Sequence, residues 1–284
     1  MEQQSLRMKI SSFIKYHLYF RIDANSIAKN QAGRSWKMKL AVFLFIIMAW
    51  SFITIGGNIS PVILPSPAKV AHTFWNLLTV GYQNNTLGQH VLISVMRILV
   101  GFLAAAVTGI LLGFAMSANR FLMNIFDPII QLLTPIPPLI YIPLLQVWFG
   151  IGELPKILLI YICTLPFVVI GSISGVQSSK ESMIRMSQSF GANPIQIFRY
   201  VVVPSALPEI ITSLRLSLGR SWTCVVAAEM IAASSGLGWI GNMAGLQLQT
   251  DVVFVAVLCI AMLGLIMDTF LRWLQRRWVY WEGK

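Results

Sequence analysis

The chain has 284 residues, of which 56% are hydrophobic and only 11% are charged. Soluble globular domains carry about a quarter charged residues, so this composition excludes an ordinary soluble domain and indicates an integral membrane protein. The formal charge of +11 does not indicate a nucleic-acid-binding protein, because eight of the 21 basic residues lie in the first 39 positions and four more follow residue 271. Basic residues beside membrane spans are instead typical of the cytoplasmic side.

Six stretches are apolar over about the 20 residues that a bilayer span requires. In chain order they are residues 40–58, 91–117, 122–148, 156–177, 205–232 and 252–272. The pattern predicts an all-α, polytopic membrane protein with about six transmembrane helices. We divide it into a basic N-terminal segment (1–39), a transmembrane domain (40–272) and a C-terminal tail (273–284).

The distribution of basic residues predicts the orientation of these spans. With both termini in the cytoplasm, 16 basic residues fall in cytoplasmic segments and two, Lys69 and Lys156, fall on the outer side. Cytoplasmic loops of membrane proteins carry an excess of Lys and Arg. We therefore predict a multi-pass membrane protein with both termini in the cytoplasm, where the polar segment 179–204 also lies.

The third apolar stretch carries four prolines, at positions 135, 137, 138 and 143. Proline lacks an amide donor and clashes with the preceding turn, so a regular helix cannot continue through all of them. Broken backbone at membrane depth is tolerated where protein or a water-filled cavity covers it. This favours a segment of the translocation path or its gate, and the alternative is a kinked structural helix. The candidate lining residues are Pro137, Pro138, Tyr141 and Gln146.

The charged residues inside the predicted spans include Arg97, Arg215, Arg220 and Glu229. A charge at the bilayer centre costs at least about 2.5–3.5 kcal/mol, so each requires a partner or water. Arg97 lies near the outer end of its span, where its side chain is expected to snorkel to the interface. Arg220 lies near the middle of its span, where its field favours a crossing anion. The alternative is a buried ion pair, for instance with Glu229 of a neighbouring helix or subunit. Both residues are candidates for the translocation path.

The polar segment 179–204 predicts two short helices that meet at a turn. Gly191 fits the left-handed position that ends the first helix. Asn193 caps the second, with Pro194 at its first position and Gln196 placed to complete a capping box. Pro204 is expected to end this second helix. The pattern therefore predicts a shaped projection at the membrane surface that is suited to contact another protein.

No catalytic, cofactor or metal site is predicted. The sequence lacks the Gly-x4-Gly-Lys-Ser/Thr motif that cradles nucleotide phosphates, so any ATP must be bound by a partner. The three cysteines, at 163, 224 and 259, lie in apolar runs without ligand-like spacing, and they are interpreted as small buried hydrophobic residues. The three histidines are far apart in the sequence. A membrane enzyme and an ion-coupled secondary carrier remain as the competing classes.

The segment from Gly191 through nine residues to Val201-x-Val203-Pro204 resembles the EAA loop of binding-protein-dependent ABC importer permeases, whose pattern is EAA-x3-G-x9-I-x-L-P. Arg185-Met186-Ser187 stands where the family has Glu-Ala-Ala. Further stretches resemble the branch for taurine, alkanesulfonates, nitrate and bicarbonate, with taurine permeases closest. They are residues 64–70, 94–102, 133–153 and 227–238, and the C-terminal residues Asp268, Arg272, Arg276, Arg277 and Trp281.

This resemblance implies a homodimeric permease embedded in the lipid of the bacterial inner membrane. Its loop is expected to form coupling helices that dock on ABC ATPase subunits. The loop residues concerned are Arg185, Met186, Ser187, Phe190, Gly191, Asn193, Pro194, Val201, Val203 and Pro204. It further implies that ATP and Mg are bound by the ATPases and that a periplasmic or lipid-anchored binding protein delivers the solute. The expected cargo is a small anionic or zwitterionic solute, taurine or an alkanesulfonate first and nitrate or bicarbonate next.

Overall fold

The computed structural model describes residues 38, 40–56 and 59–279. Apart from Met38, the predicted N-terminal segment lies outside the described residues, as does the tail from residue 280. Two units are distinguished, the first ending at Pro67 and the second beginning at Ala68. The first contains helix α1 (Leu40–Ile55), which covers about 24 Å at 1.5 Å per residue and so is shorter than the predicted span. Its Trp50 indole N–H donates to the carbonyl of Pro65 at 3.0 Å.

The remaining chain is helical almost throughout, which confirms the all-α prediction for the described residues. The helices are α2 (Pro67–Thr79), α3 (Leu87–Ala118), α4 (Arg120–Leu133), α5 (Pro138–Phe149), α6 (Glu153–Gln177), α7 (Glu181–Ser189), α8 (Pro194–Ile197), a π-helix (Phe198–Val202), α9 (Val203–Ala232), α10 (Leu237–Leu246) and α11 (Thr250–Trp278). In the part of the chain that the structure describes, four continuous segments are long and apolar enough to cross a membrane: α3, α6, α8 through α9, and α11.

The predicted third span is not one helix. Helices α4 and α5 together have the length and composition of a span, but they meet at 106° across the break at residues 134–137. Pro135 and Pro137 lie in this break, while Pro138 begins α5 and Pro143 lies inside it. The interruption follows from the missing amide donors and from the steric restriction on each residue that precedes a proline.

Helices α3, α6 and α9 pack closely through small residues. Three glycines of α3, at 101, 109 and 113, lie so near α6 that an added Cβ would meet an α6 side chain within 2.9 Å. Their partners are Ile160, Val168 and Ser172, so the two helices run parallel. Gly171 of α6 lies against Ser213 of α9, and Gly175 against Ala206, so that pair is antiparallel. Small residues permit the close helix contacts on which packing in a membrane depends.

These directions define two ends of the helical unit. Helices α3 and α6 end, α9 begins, and α11 ends on the side where α7 and α8 project, which we call the knob end. Helices α3 and α6 begin, α9 ends and α11 begins at the opposite end. The antiparallel course of α11 follows from two contacts in opposite order along the helices, Arg215 of α9 with Asp268 and Thr212 of α9 with Gln275.

Candidate functional site

The knob, residues 181–197, is a pair of short helices joined by a turn that contains Gly191. At the end of α7 the amide of Ala192 donates to the Ser187 carbonyl at 3.1 Å, and that of Gly191 donates to the Gln188 carbonyl at 2.9 Å. This is the Schellman arrangement, which requires a left-handed residue. Gly191 supplies it with φ of 78°. The predicted left-handed glycine is therefore present in the structure.

The start of α8 is fixed by reciprocal side-chain hydrogen bonds. The amide of Gln196 donates to Asn193 Oδ1, and the amide of Asn193 donates to Gln196 Oε1, both at 2.8 Å. Pro194 occupies the first turn, where a missing amide hydrogen costs no bond. The predicted capping box is thus formed, and it holds α8 at a fixed angle to the turn at Gly191.

Pro204 does not end the second helix, contrary to the prediction. After α8 the chain passes through the π-helix into α9, so the helical segment runs without interruption from Pro194 to Ala232. The amide of Val203 donates to the carbonyl of Phe198, five residues earlier. Because this wider turn directly precedes Pro204, it relieves the clash that proline makes with the carbonyl four residues back. The knob is consequently continuous with a membrane-crossing helix.

Apolar and aromatic side chains of the knob are exposed. Phe190 is 84% exposed, Ile195 77% and Met186 57%. Arg185, at the position of the family's glutamate, forms an ion pair at 2.6 Å with Glu181 on the same exposed helix. Beyond the knob, the Phe198 ring packs edge-on against Phe114 of α3, with centroids 5.3 Å apart. The knob therefore presents an uncovered apolar surface while its base is anchored to α3.

A cavity of about 430 Å3 lies where the α4–α5 break faces α6 and α9. Arg220 of α9 lies on its wall, and its guanidinium carbon is 3.7 Å from the centroid of the Phe167 ring of α6. Among the described residues, no carboxylate forms an ion pair with Arg220. The rest of the wall is neutral: Leu133, Thr134, Ile136, Pro138, Cys163, Phe167, Leu216, Gly219, Thr223 and Cys224.

Only some of the residues predicted to line the translocation path lie at this cavity. Pro138 and Arg220 line the cavity. Pro137 lies exposed in the break beside them. Tyr141 packs against the cluster around Ile142 and Leu159, and within the described residues its buried hydroxyl has no hydrogen-bond partner. Gln146 lies farther along α5 and is partly buried.

Glu229 is completely buried in a polar network with Arg97, and it does not pair with Arg220 in the described chain. Its carboxylate oxygen Oε1 accepts from Arg97 Nη1 and from Ser94 Oγ, both at 2.7 Å. Arg97 also binds Glu153 with two hydrogen bonds of 2.6 and 2.7 Å. Since Arg97 is only 3% exposed, the expectation that it snorkels to the interface is wrong.

The same network holds the start of α10. The amides of Gly236, Leu237 and Gly238 donate to His90 Nδ1, Ser94 Oγ and Glu229 Oε2 at 2.8–3.0 Å. The first amides of a helix have no partner within it, and a carboxylate there also interacts favourably with the helix dipole. Glu229 therefore holds helices together at the end of the unit that is opposite to the knob.

Sequence reasoning missed Ser94, His90 and Glu153 as members of this network. Each is an ordinary polar residue near the start of a helix, and no local motif indicates its partner. It also missed that Cys163 and Cys224 lie on the wall of the Arg220 cavity. A signal for this pair was available, because α6 and α9 are antiparallel neighbours that bring these two positions opposite each other.

The sequence matches a family model described as "Binding-protein-dependent transport system inner membrane component" over residues 98–280. The taurine transport system permease protein TauC of Escherichia coli (strain K12) is 40% identical over 256 residues, which cover 89% of this chain and 92% of that protein. The putative aliphatic sulfonates transport permease protein SsuC of the same strain is 36% identical, with 88% and 94% covered. The nitrate import permease protein NrtB of Synechocystis sp. (strain PCC 6803) is 30% identical, with 81% and 84% covered.

The fold is also similar to that of a solved importer. A chain from the inward-facing MetNI methionine ABC transporter superposes with a TM-score of 0.55 at 22% sequence identity, covering 66% of this chain and 94% of that one. At this level of identity the similarity concerns the fold alone. The family match covers well over half of the chain, and the alignment with TauC is longer than that match. The chain therefore belongs to the family of binding-protein-dependent transport system inner membrane components, the membrane-spanning permease subunits of ABC importers.

Proposed function

We propose that this chain is the permease of an ATP-driven importer for taurine or a related alkanesulfonate. The proposal is supported by the named substrates of its relatives, which are taurine, aliphatic sulfonates and, at lower identity, nitrate. All three carry a negatively charged oxyanion group. The cavity beside the α4–α5 break agrees with such cargo, because Arg220 is the single charged residue on its wall among the described residues.

The knob is the proposed docking element for the ATPase subunits. Its exposed Phe190, Ile195 and Met186 give an apolar surface of the kind that is buried on binding a partner. The proposed docking set is the loop named in the sequence analysis, from Arg185 to Pro204. Its rigid caps at Gly191 and Asn193 allow force on the knob to move it as one body.

The observation that carries the proposed mechanism is the uninterrupted helical segment Pro194–Ala232. It begins in the knob and contributes Leu216, Arg220 and Thr223 to the cavity wall. When the ATPases close on ATP, a displacement of the knob is transmitted along α9 to the cavity. This coupling would switch the path between outward- and inward-facing states without any covalent chemistry in this chain, which we propose is not an enzyme.

The proposed orientation places the knob end and both termini in the cytoplasm. The basic residues Arg272, Arg276 and Arg277 lie at the knob end of α11 together with Trp273 and Trp278. This combination of Arg and Trp is typical of a cytoplasmic membrane interface. The opposite end, with α10, then faces the periplasmic or lipid-anchored binding protein.

The proposed assembly is a homodimer in membrane lipid with two ATPase subunits. Each copy would supply one knob and one cavity, and the ATPases would bind ATP and Mg, for which this sequence has no P-loop. No nucleic acid is involved. Native mass spectrometry of the purified complex gives the number of permease copies and so tests the two-copy assembly.

The transport proposal is tested with the permease, its ATPase and its binding protein reconstituted in liposomes. We expect taurine or alkanesulfonate uptake that requires ATP and stops when the ATPase is catalytically inactive. Uptake that follows an imposed ion gradient without ATP would indicate a secondary carrier instead. ATP-dependent uptake of nitrate or bicarbonate, without sulfonate uptake, would replace the cargo but keep the importer.

A further inference from the structure

We propose that the Arg220 cavity is an anion subsite that binds the sulfonate end of the solute and does not discriminate between different groups at its other end. Taurine and a plain short alkanesulfonate would then pass the permease equally well, and discrimination between them would lie outside this chain. The inference rests on the proposed function and adds to it a substrate class defined by one functional group.

The charge balance of the wall supports an anion. Arg220 is the only charged residue among those that line the cavity, and the described residues give it no carboxylate partner. The ammonium group of taurine would meet only neutral side chains, such as Thr134 and Thr223. Arg220 is exposed on this wall, and a cation at membrane depth without a counterion is costly, so a guest anion stabilises this site and a guest cation does not.

Arg97 provides a contrast within the same fold. Its guanidinium donates four hydrogen bonds, to Glu153, Glu229 and the carbonyl of Ser235. It therefore has little capacity left for a guest. Arg220 has the same chemistry without these partners, and only this second arginine is available to a solute.

The contact with Phe167 leaves the binding edge of Arg220 open. A separation of 3.7 Å between the guanidinium carbon and the ring centroid fits two stacked planar groups. Stacking uses the flat face of the guanidinium, whereas its N–H groups point outward in the plane. These N–H groups bind oxyanions with two parallel hydrogen bonds, a geometry that a sulfonate can accept. The volume of about 430 Å3 suits a small solute.

The native cysteines offer a direct probe of this cavity. Cys163 lines it and is partly exposed, whereas Cys224 is buried and Cys259 lies away from its wall. In the permease–ATPase complex with Cys224→Ser and Cys259→Ser, Cys163 is the single native thiol of this chain. It is treated with two methanethiosulfonate reagents, one carrying a sulfonate and one a quaternary ammonium. Each forms a mixed disulfide and releases methanesulfinate, and the adduct is counted by mass spectrometry. The same complex with Cys163→Ser is the blank.

We expect the sulfonate reagent to modify Cys163 faster than the cationic reagent by about tenfold, an effect of local charge on encounter. Arg220→Gln should remove this preference. With the Arg220 protein, taurine and ethanesulfonate should slow the modification at concentrations that agree within a factor of about two. Ethanolamine, which has the amine without the sulfonate, should give no protection.

Two results would overturn the inference. Equal rates for the two reagents would show that the cavity has no preference for anions. Protection by taurine at much lower concentration than by ethanesulfonate would show that the amine end is recognised. The protection series uses the protein with Arg220 intact, so it decides the question even if Arg220→Gln fails to assemble. Neither result depends on ATP or on uptake, so the transport assay remains a separate test of the proposed importer function.

Discussion

Arg97 Nη1 and Glu229 Oε1 are 2.7 Å apart in a buried ion pair that joins α3 to α9 across 132 positions of the sequence. Glu229 also accepts the amide of Gly238 at the start of α10. One carboxylate thus fixes two long helices and the short helix between α9 and α11. Its complete burial means that every hydrogen-bond partner matters to the free energy of folding.

Glu229→Gln should destabilise the permease more than Glu209→Gln, which changes an exposed glutamate of the same helix. The amide cannot accept from Arg97, Ser94 and Gly238 as the carboxylate does, and Arg97 loses a counterion. We expect a loss of about 3 kcal/mol, which corresponds to a fall in Tm of about 6–12 °C for a domain of this size. Thermal unfolding in detergent, followed by tryptophan fluorescence, measures it. Equal Tm values for the two variants would contradict the structural role of Glu229.

The Arg97–Glu229 pair is also a contact that could not be predicted from the sequence. The sequence identified both residues as intramembrane charges that require partners, but it could not join them. The pairing depends on the register of α3 against α9, which is set by the close contacts of glycines and small residues with α6. Nothing near Glu229 in the sequence indicates that its ion-pair partner is Arg97 and not Arg220, which lies nine residues away on the same helix.

Local chemistry was more predictable. The turn at Gly191 and the cap at Asn193 depend on a few adjacent residues, so their roles followed from residue type and spacing. The same reasoning was wrong for Pro204, because it assumed that a proline must end the helix. The π-helix before Pro204 is an arrangement that residue type alone does not indicate. The break in the third span was expected from its prolines, although the 106° angle was not.

Gly191→Val should weaken ATPase binding while the membrane helices stay folded. An added Cβ at Gly191 meets no atom within 4 Å, so the effect is one of backbone conformation alone. At φ of 78° an ordinary side chain costs about 1–2 kcal/mol, and a β-branched one is especially unfavourable. We expect less ATPase in pull-downs and reduced uptake, at unchanged permease level and Tm.

Gly191→Asn is the matched control, because Asn tolerates the left-handed conformation. It should restore much of the ATPase binding that Gly191→Val loses. If Gly191→Val binds its ATPase and transports normally, the knob is not the docking element. If Asn and Val are equally defective, the cause is side-chain bulk at the interface and not the backbone.

Single cysteines at the two ends of the unit test the proposed orientation. In a background without the native cysteines, Gly88→Cys lies at the exposed start of α3, where an added Cβ meets the Thr86 hydroxyl at an ordinary contact distance of 3.9 Å. Gln188→Cys lies on the exposed surface of the knob. An impermeant maleimide added outside right-side-out membrane vesicles should modify position 88 and reach position 188 only after permeabilisation. Labelling of both positions from the outside would contradict the orientation and with it the ATPase contact.

Arg220→Gln should reduce sulfonate uptake without reducing stability, whereas Arg215→Gln should do the reverse. The two arginines are five residues apart on α9. Arg215 is bound to Asp268 at 3.0 Å and to Gln275, so it contributes to the packing of α9 on α11. Arg220 has no carboxylate partner in the described chain and faces the cavity, so its loss removes charge from the path and no interhelical ion pair.

Uptake per assembled complex and Tm, measured for both variants, separate these roles. We expect uptake by Arg220→Gln to fall about tenfold or more, since one favourable charge contact with an anion contributes about 1.5–3 kcal/mol. Arg220→Lys keeps the charge but loses the planar pair of donors, and it should retain an intermediate rate. If Arg220→Gln lowers Tm and assembly as much as it lowers uptake, the residue is structural. In that case a different part of the path must offset the cost of moving a sulfonate through the membrane.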